Sequence, residues 1–289
     1  MTTSIDATAA GTWQLGDRTV NRMGFGAMRL PMNADGTVRD RETAKQVLRR
    51  AVELGVNHID TAAFYFHGTR SSNELINSAL APYPDDLVIT TKVGPGRDPA
   101  GDFLHVSTKK GLRGQVEENI RQLGLDHLDV VNYRIGQGLE RGEGSLADGF
   151  GALAELQQEG LIRHLGISNI HAEHLEEALG IAPVVCVQNQ YGLTTRREDD
   201  ALLALCAEHD VAFVPFFAIA AGTEQQVVSE IAQAHGVSDA QVRLAWTLHK
   251  GPNVLAIPGT GDPAHLEENI AAAGLRLTDD ELTRLDTIG

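Results

Sequence analysis

The chain has 289 residues and a formal net charge of −15, with 42% hydrophobic and 22% charged residues. This composition is ordinary for a globular protein and allows one large core or two smaller ones. The negative charge disfavours nucleic acid as a partner, because phosphate backbones require a basic face. No apolar run approaches the roughly 18 residues of a membrane span, and the first ten residues do not resemble a signal peptide. Cys186 and Cys206 lie in apolar surroundings without metal spacing, so we expect buried thiols and a cytoplasmic protein.

Apolar runs alternate with amphipathic periodicities along the chain. Segments 13–15 and 19–23 flank a Gly-Asp turn, which predicts an N-terminal β-hairpin. The strands predicted next are 23–26, the runs ending at Asp60 and Lys92, 128–133, 162–167, 184–187, 212–215 and 254–257. The predicted helices are 41–54, 72–80, one closed by Gly124, 144–159, 171–179, 201–209, 224–235, 239–249, 263–273 and 279–288. Segment 94–108, which contains Gly and Pro, is predicted to be a long loop.

The alternation of strand and helix predicts an α/β fold with a parallel sheet and right-handed crossovers. Eight such units in about 270 residues predict a (β/α)8 TIM barrel, with the N-terminal hairpin and two extra helices late in the chain. A doubly wound sheet is the alternative, but it usually carries Gly-x-Gly-x-x-Gly after its first strand. Gly24-Phe25-Gly26 lacks the third glycine. No low-complexity linker interrupts the chain, so we expect one domain over residues 1–289.

Polar side chains follow the predicted strands at the points where those strands end. In chain order they are Asp60, Lys92, Arg134, Ser168, Asn169 and Gln188, with Tyr65 shortly after the second strand. The carboxyl ends of barrel strands point into one shared mouth, so we expect these side chains to lie together.

Asp60, Tyr65 and Lys92 have the residue types of a proton-transfer unit. A phenol has an ordinary pKa of about 10, too high to exchange protons readily near neutrality. A nearby ammonium would lower that pKa, and a carboxylate beside the lysine would keep the lysine charged and aimed. The alternative is that Lys92 forms a Schiff base with a carbonyl substrate.

Several motifs strongly resemble those of the aldo-keto reductases, from about Trp13 to the end of the chain. They are Asp60…Tyr65…Lys92, Gly166-Ile167-Ser168-Asn169, Gln188-Asn189-Gln190-Tyr191, and Ile257-Pro258-Gly259-Thr260 followed by Glu268-Asn269. The resemblance implies a barrel that binds a nicotinamide cofactor without a Rossmann domain and reduces aldehydes or ketones by hydride transfer. It implies that Tyr65 is the proton donor and that Ser168, Asn169 and Gln188 hold the nicotinamide carboxamide. Phe216 would stack on the nicotinamide ring.

Arg134 stands where the family usually has a histidine as its fourth catalytic residue. An arginine can still polarise a carbonyl oxygen, but it keeps its charge at all relevant pH values. The surrounding Val130-Val131-Asn132-Tyr133-Arg134 resembles a bacterial branch that includes pyridoxal reductases. Pyridoxal-like aromatic aldehydes are therefore the expected substrates. The departure at Arg134 leaves one alternative open, a catalytically weak nicotinamide-binding barrel that acts as a sensor or subunit.

The segment from Ile257 to Pro263 predicts a turn followed by a helix start, where backbone amides suit a phosphate. The family usually places basic residues here to bind the 2′-phosphate of NADP, but the matching positions are Gly259 and His265, and Asp262 adds a negative charge. Thr260 and a protonated His265 could still hydrogen-bond a phosphate. We expect NADP(H), with NAD(H) as the alternative. Glu268 and Asn269 match the family's adenine-contacting pair. His171 and His174 lack further ligands, so no metal is expected.

Overall fold

The computed structural model describes residues 5–98, 102–195, 197–219 and 225–288. Its strands are β1 (Thr12–Leu15), β2 (Arg18–Asn21), β3 (Phe25–Gly26), β4 (His58–Asp60), β5 (Phe66–His67), β6 (Arg70–Ser71), β7 (Val88–Val93), β8 (Pro95–Arg97), β9 (Phe103–His105), β10 (Leu128–Arg134), β11 (Ile162–Ser168), β12 (Val184–Gln188) and β13 (Ala212–Phe213). Its helices are α1 (Arg41–Glu53), α2 (Ser72–Leu80), α3 (Lys109–Leu123), α4 (Ala147–Gln158), α5 (Ala172–Leu179), α6 (Asp200–Glu208), α7 (Gln226–His235), α8 (Asp239–His249), α9 (Pro263–Ala271) and α10 (Asp279–Asp286).

Seven strands form one curled parallel sheet in the order β13-β12-β11-β10-β7-β4-β3. The expected strand 254–257 is present only as isolated parallel bridges, Phe213 with Val254 and Met23 with Ala256. One short segment therefore contacts both edges of the sheet. The two backbones are very close at this seam, because a Cβ atom built on Gly26 would lie 2.6 Å from the carbonyl oxygen of Ile257. A glycine is required there.

The N-terminal hairpin is confirmed: β1 pairs with β2 in antiparallel register. Leu15 and Val20 point inward from the hairpin and are fully buried. They pack in one cluster with interior residues of the sheet, including Val88, Val130 and Cys186. The hairpin thus covers the sheet interior where β7 begins, at the end opposite to the mouth.

The predicted helices are present in the described residues, with ends shifted by up to three residues. Amphipathic periodicity correctly predicted which face of a helix is buried. Helix α1, for example, buries Ala44, Val47, Leu48 and Ala51 on one face. Helix α3 ends at Gly124, whose φ of 66° is the left-handed conformation expected of a C-terminal glycine. The first residue of the helix predicted at 224–235 falls outside the described residues.

Segment 94–108 was wrongly predicted to be a simple loop. It contains the antiparallel hairpin β8–β9, with residues 99–101 outside the described part of the chain. A second small hairpin, β5–β6, follows Tyr65. Residues 103–105, which form β9, are exposed throughout, so this strand has none of the apolar alternation that reveals a half-buried strand.

Two further expectations concern the whole chain. Cys186 and Cys206 are free and buried, and burial raises the pKa of the Cys186 thiol to about 12. In the described residues, no helix is long and apolar enough to span a membrane.

Candidate active site

The strand-end residues predicted from the sequence lie together at the mouth of the curled sheet. Parallel register places Arg134 opposite Ser168, and Ser168 opposite Gln188. Asp60 ends β4 and Lys92 lies near the end of β7, in the two strands that pair beside β10. The regular register of a parallel sheet is therefore what brings these residues into one row.

Asp60 and Lys92 form a buried ion pair, with 2.6 Å between the lysine Nζ and the carboxylate Oδ1. Each residue is only 3% exposed. Lys92 also donates to the carbonyl oxygen of Thr61 at 3.2 Å, and Gln188 donates to the second Asp60 oxygen at 2.8 Å. Burial alone lowers the pKa of Lys92, but Asp60 and Tyr65 raise it above its ordinary value. The lysine is thus held as a cation.

A buried set of polar side chains lies behind this ion pair. Thr61 donates to Asn73, Asn73 donates to Asn119, and Thr91 donates to the same Asn119 oxygen, at distances of 2.6 to 2.9 Å. All four side chains are fully buried. Since Thr61 follows Asp60 and Thr91 precedes Lys92, these bonds tie the two strand ends to helices α2 and α3. Satisfied buried networks of this kind make local geometry rigid.

Tyr65 lies in the turn after β4, where its amide donates to Ala62 and its carbonyl accepts from Ser72. The Lys92 Nζ atom is 5.0 Å from the centre of the phenol ring. Burial raises the pKa of Tyr65 above its ordinary value, and the Lys92 charge counteracts this rise only in part. Lys92 therefore lowers the phenol pKa as expected, but the net shift is upward because desolvation of the phenolate is the larger effect.

Arg134 is 9% exposed and contacts three parts of the mouth. Its guanidinium donates to the Ser168 hydroxyl at 3.2 Å and to the carbonyl oxygen of Gly138 at 2.5 Å. It also lies over the ring of Phe216, 5.0 Å from the ring centre. Arg134 is thereby held at the mouth by β11, by the loop after β10 and by the segment after β13.

Two amide side chains present unpartnered oxygens in this region. Asn169 has a φ of 64°, and its Nδ2 atom donates to the carbonyl oxygens of Ile135 and Glu140. The buried Oδ1 of Asn169 and the buried Oε1 of Gln188 have no hydrogen-bond partner among the residues that the structure describes. A buried unpaired acceptor is costly, so a ligand that supplies donors is favoured. A carboxamide NH2 group is a donor of this type.

The mouth opens into a cavity of about 450 Å³. Its lining includes Asp60, Tyr65, Lys92, Arg134, Phe216 and Gly259, together with aromatic and aliphatic side chains from the loops. Most of these apolar contributors were not predicted from the sequence; they include Phe103, Leu104, Leu139 and Phe217. Phe103 and Leu104 are 52% and 49% exposed, so they form a rim that is apolar yet open. Large exposed apolar residues clustered at a concave site indicate ligand binding.

The turn after Ile257 departs from the expectation that the helix-start amides would bind phosphate. Asp262 caps α9, and its carboxylate accepts from the amides of Ala264 at 2.8 Å and His265 at 3.2 Å. Those two donors are already satisfied within the protein. Thr260 accepts from the Asp262 amide at 3.0 Å, which leaves its hydroxyl proton available for another acceptor.

Glu268 and Asn269, the two residues expected near adenine, have different surroundings. Glu268 accepts a hydrogen bond from Ser238 at the start of α8. Asn269 is buried on α9. The Glu268 bond joins α9 to α8, so this carboxylate already has one partner in the protein.

The histidines considered as metal ligands are bonded within the protein. The His174 ring accepts from the His171 amide at 3.0 Å and contacts the Gly144 carbonyl oxygen at 2.7 Å. Over the described ranges, no group of three or more His, Cys, Asp or Glu side chains is arranged to hold a metal ion.

The curled parallel sheet carries a buried acid–lysine pair beside a phenol at its mouth. The profile of the Aldo/keto reductase family matches residues 22–289. The chain is 45% identical to pyridoxine 4-dehydrogenase of Escherichia coli strain K12 over 285 residues, which are 97% of this chain and 99% of that protein.

Two solved structures are similar over nearly the whole chain. The thermostable aldo-keto reductase Tm1743, in complex with the inhibitor epalrestat, has a TM-score of 0.80 at 30% identity, with 96% of this chain and 99% of the other covered. An aldo/keto reductase from Klebsiella pneumoniae in complex with NADP and acetate has a TM-score of 0.77 at 27% identity, with coverages of 93% and 92%. The chain belongs to the aldo/keto reductase family and is an oxidoreductase.

Proposed function

We propose that this protein is an NADP(H)-dependent reductase of aldehydes or ketones. One observation carries the proposal: a single cavity is lined by Tyr65, the Asp60–Lys92 pair and Arg134. Gln188 bonds to Asp60 of this lining, and the buried amide oxygens of Gln188 and Asn169 have no donor among the described residues. Tyr65, Asp60 and Lys92 suit proton transfer, and the amide oxygens of Asn169 and Gln188 suit a nicotinamide carboxamide. The alternative that Lys92 forms a Schiff base is disfavoured, because its ion pair holds it protonated and hence non-nucleophilic.

The proposed chemistry forms one C–H bond and one O–H bond at the carbonyl group. A bound NADPH would supply the hydride to the carbonyl carbon and would be oxidised to NADP+. Tyr65 donates its hydroxyl proton to the carbonyl oxygen, and the resulting phenolate is stabilised by the Lys92 ammonium. Asp60 keeps Lys92 charged and aimed, and Arg134 polarises the carbonyl oxygen as a permanent cation. Because burial raises the pKa of Tyr65, the donor stays protonated through neutral pH.

Ser168, Asn169 and Gln188 are proposed to hold the nicotinamide, with Phe216 against the ring. Gly259, Thr260 and His265 would face the adenosine phosphates, and Glu268 and Asn269 the adenine. The cofactor bound by the Klebsiella pneumoniae relative supports NADP(H) over NAD(H).

We further propose that residues 1–289 form one (β/α)8 barrel domain. The short segment Val254–Ala256, which bridges to both edges of the seven-stranded sheet, would take the eighth strand position. Two helices, α7 and α8, lie between β13 and this segment where a simple repeat has one, and α10 follows α9, which accounts for the two extra helices.

The proposed substrates are aromatic aldehydes of the pyridoxal type. The cavity combines aromatic walls, such as Phe64 and Phe103, with the Arg134 cation, which suits a flat ring that carries oxygen substituents. The similar Escherichia coli protein is a pyridoxine 4-dehydrogenase, which supports this class of substrate.

A substrate screen with both cofactors tests the proposal. Pyridoxal, simple aromatic aldehydes and ketosugars are incubated with NADPH or NADH, and nicotinamide oxidation is followed by absorbance. We expect pyridoxal and related aromatic aldehydes to be reduced with NADPH. A protein that binds NADPH but turns over none of the panel would contradict the proposal and favour the sensor alternative.

Replacement of Arg134 by histidine tests its role. If the site needs only a hydrogen-bond donor at this position, Arg134→His is expected to retain turnover, and a rate that varies with pH near the pKa of about 6.5 of histidine should appear. A loss of turnover at all pH values would instead indicate that the permanent charge is required. The measurement is the pH profile of kcat for both proteins.

A further inference from the structure

The segment where the cofactor's adenosine phosphate is expected supplies little positive charge of its own. Residues 259–263 include no lysine or arginine. Asp262 adds a negative charge and occupies the amides of Ala264 and His265. A dianionic 2′-phosphate in this place requires a cation from another part of the chain.

Arg39, from the loop before α1, places a cation at this turn. Its guanidinium lies directly against Gly261: a Cβ atom built on this glycine would be 2.1 Å from Nε and 2.3 Å from Cζ of Arg39. A side chain at this position would have to displace the guanidinium. Gly261, in the turn predicted to bind phosphate, thus leaves room for the arginine.

The loop that carries Arg39 is held at its base. The Arg39 amide donates to the carbonyl oxygen of Pro31 at 3.0 Å, and Met32 forms an antiparallel bridge with Val38. The next residue, Asp40, caps helix α1 through the Thr43 amide. Arg39 is therefore placed by a short hairpin-like loop on one side and a helix start on the other.

The guanidinium retains donors for a ligand. Nη2 donates to the Met32 carbonyl oxygen at 3.0 Å, whereas the buried Nε has no hydrogen-bond partner among the residues that the structure describes. Thr260 lies in the same turn, with a hydroxyl proton that its bond from the Asp262 amide does not use. A fork of N–H donors beside a hydroxyl is a suitable arrangement for a phosphate monoester.

We infer that Arg39 binds the 2′-phosphate of NADP(H) and sets the preference of this protein for NADP(H) over NAD(H). The inference rests on the proposed function, because it assumes that the cofactor's adenosine lies along the turn from Gly259 to Asp262. It assigns the phosphate-binding charge to a loop far from that turn in sequence. A purely structural role, in which Arg39 only packs against the turn, would affect both cofactors equally.

The test is a comparison of dissociation constants for NADPH and NADH, measured by fluorescence titration without substrate. Arg39→Ala is expected to weaken NADPH binding by about ten- to a hundredfold, the range of a lost charge-assisted hydrogen bond. The dissociation constant of NADH is expected to stay unchanged. Arg41→Ala is the matched control. It removes the same charge two residues further along the chain, from a side chain that pairs with Glu74. This control is expected to leave both constants unchanged.

Gly261→Ala provides a second variant that keeps the charge. The added methyl group displaces the guanidinium, so the NADPH preference is expected to fall although Arg39 is present. In the Arg39→Ala background, the same substitution should have no further effect on the ratio. Adenosine 2′-monophosphate and adenosine 5′-monophosphate serve as minimal probes in thermal-shift titrations, and only the former should distinguish wild type from Arg39→Ala.

Equal weakening of NADPH and NADH binding in Arg39→Ala, or no change in either dissociation constant, would overturn the inference. The proposed function would stand in that case if the wild-type protein reduced substrate with NADPH. A wild-type protein that bound neither cofactor would overturn both. A ratio that falls in Arg39→Ala and in Gly261→Ala, but not in Arg41→Ala, supports Arg39 as the residue that determines cofactor preference.

Discussion

Replacement of Tyr65 by phenylalanine is expected to lower kcat for carbonyl reduction by about a hundredfold to ten-thousandfold, the usual contribution of a positioned proton donor. The ring and its packing against Phe64 are kept, with ring centres 5.1 Å apart in the parent. Only the hydroxyl is lost. The measurement is steady-state oxidation of NADPH with an aromatic aldehyde, beside a fluorescence titration of NADPH binding, which should be unchanged.

Tyr83→Phe is the matched control for this experiment. The Tyr83 hydroxyl donates to the Leu123 carbonyl oxygen at 2.6 Å, away from the cavity lining. Its removal is expected to cost about 1 kcal/mol of stability and to leave the reduction rate unchanged. If Tyr65→Phe kept the parent's turnover, another group would have to supply the proton.

Replacement of Lys92 by methionine is expected to produce the largest loss of stability of any single change at the site. It leaves the Asp60 carboxylate buried without its cation, and breaking a buried ion pair in this way costs about 3–5 kcal/mol. The parent pair is almost fully buried at 2.6 Å. Urea unfolding measures the change in the free energy of unfolding, and reduction should be lost as well, because the Tyr65 phenolate would have no counter-charge.

Two further variants separate the stability of the ion pair from its proposed role in reduction. Asp60→Asn combined with Lys92→Met removes both charges, so stability should recover in part whereas reduction should not. Lys109→Met breaks the Lys109–Glu155 ion pair, in which both side chains are more than half exposed. Such surface pairs contribute at most about 1 kcal/mol. A Lys92→Met protein as stable as the Lys109→Met protein would contradict the buried-pair interpretation.

The repeated strand and helix order could be predicted because it depends on local signals. The apolar faces of helices such as α1, the glycine that ends α3, and the polar residue that ends each strand are all legible in short windows of sequence. Parallel strands in register then place their ends together, so the grouping of Asp60, Lys92, Arg134, Ser168 and Gln188 followed from strand order alone.

The properties that depend on distant contacts required the tertiary structure. The lowering effect of Lys92 on the Tyr65 pKa was predicted, but the net direction of the shift was not, since it depends on how far burial outweighs the Lys92 charge. The hairpin β8–β9 was missed, because its exposed residues have no periodic pattern. No local signal connects Arg39 with Gly261, because only the packing of the loop before α1 against the turn before α9 makes them neighbours. Short-range periodicity thus determined which elements form and which polar groups end them. The environment of each group, and therefore its charge and partners, was decided by segments that meet only when the sheet curls.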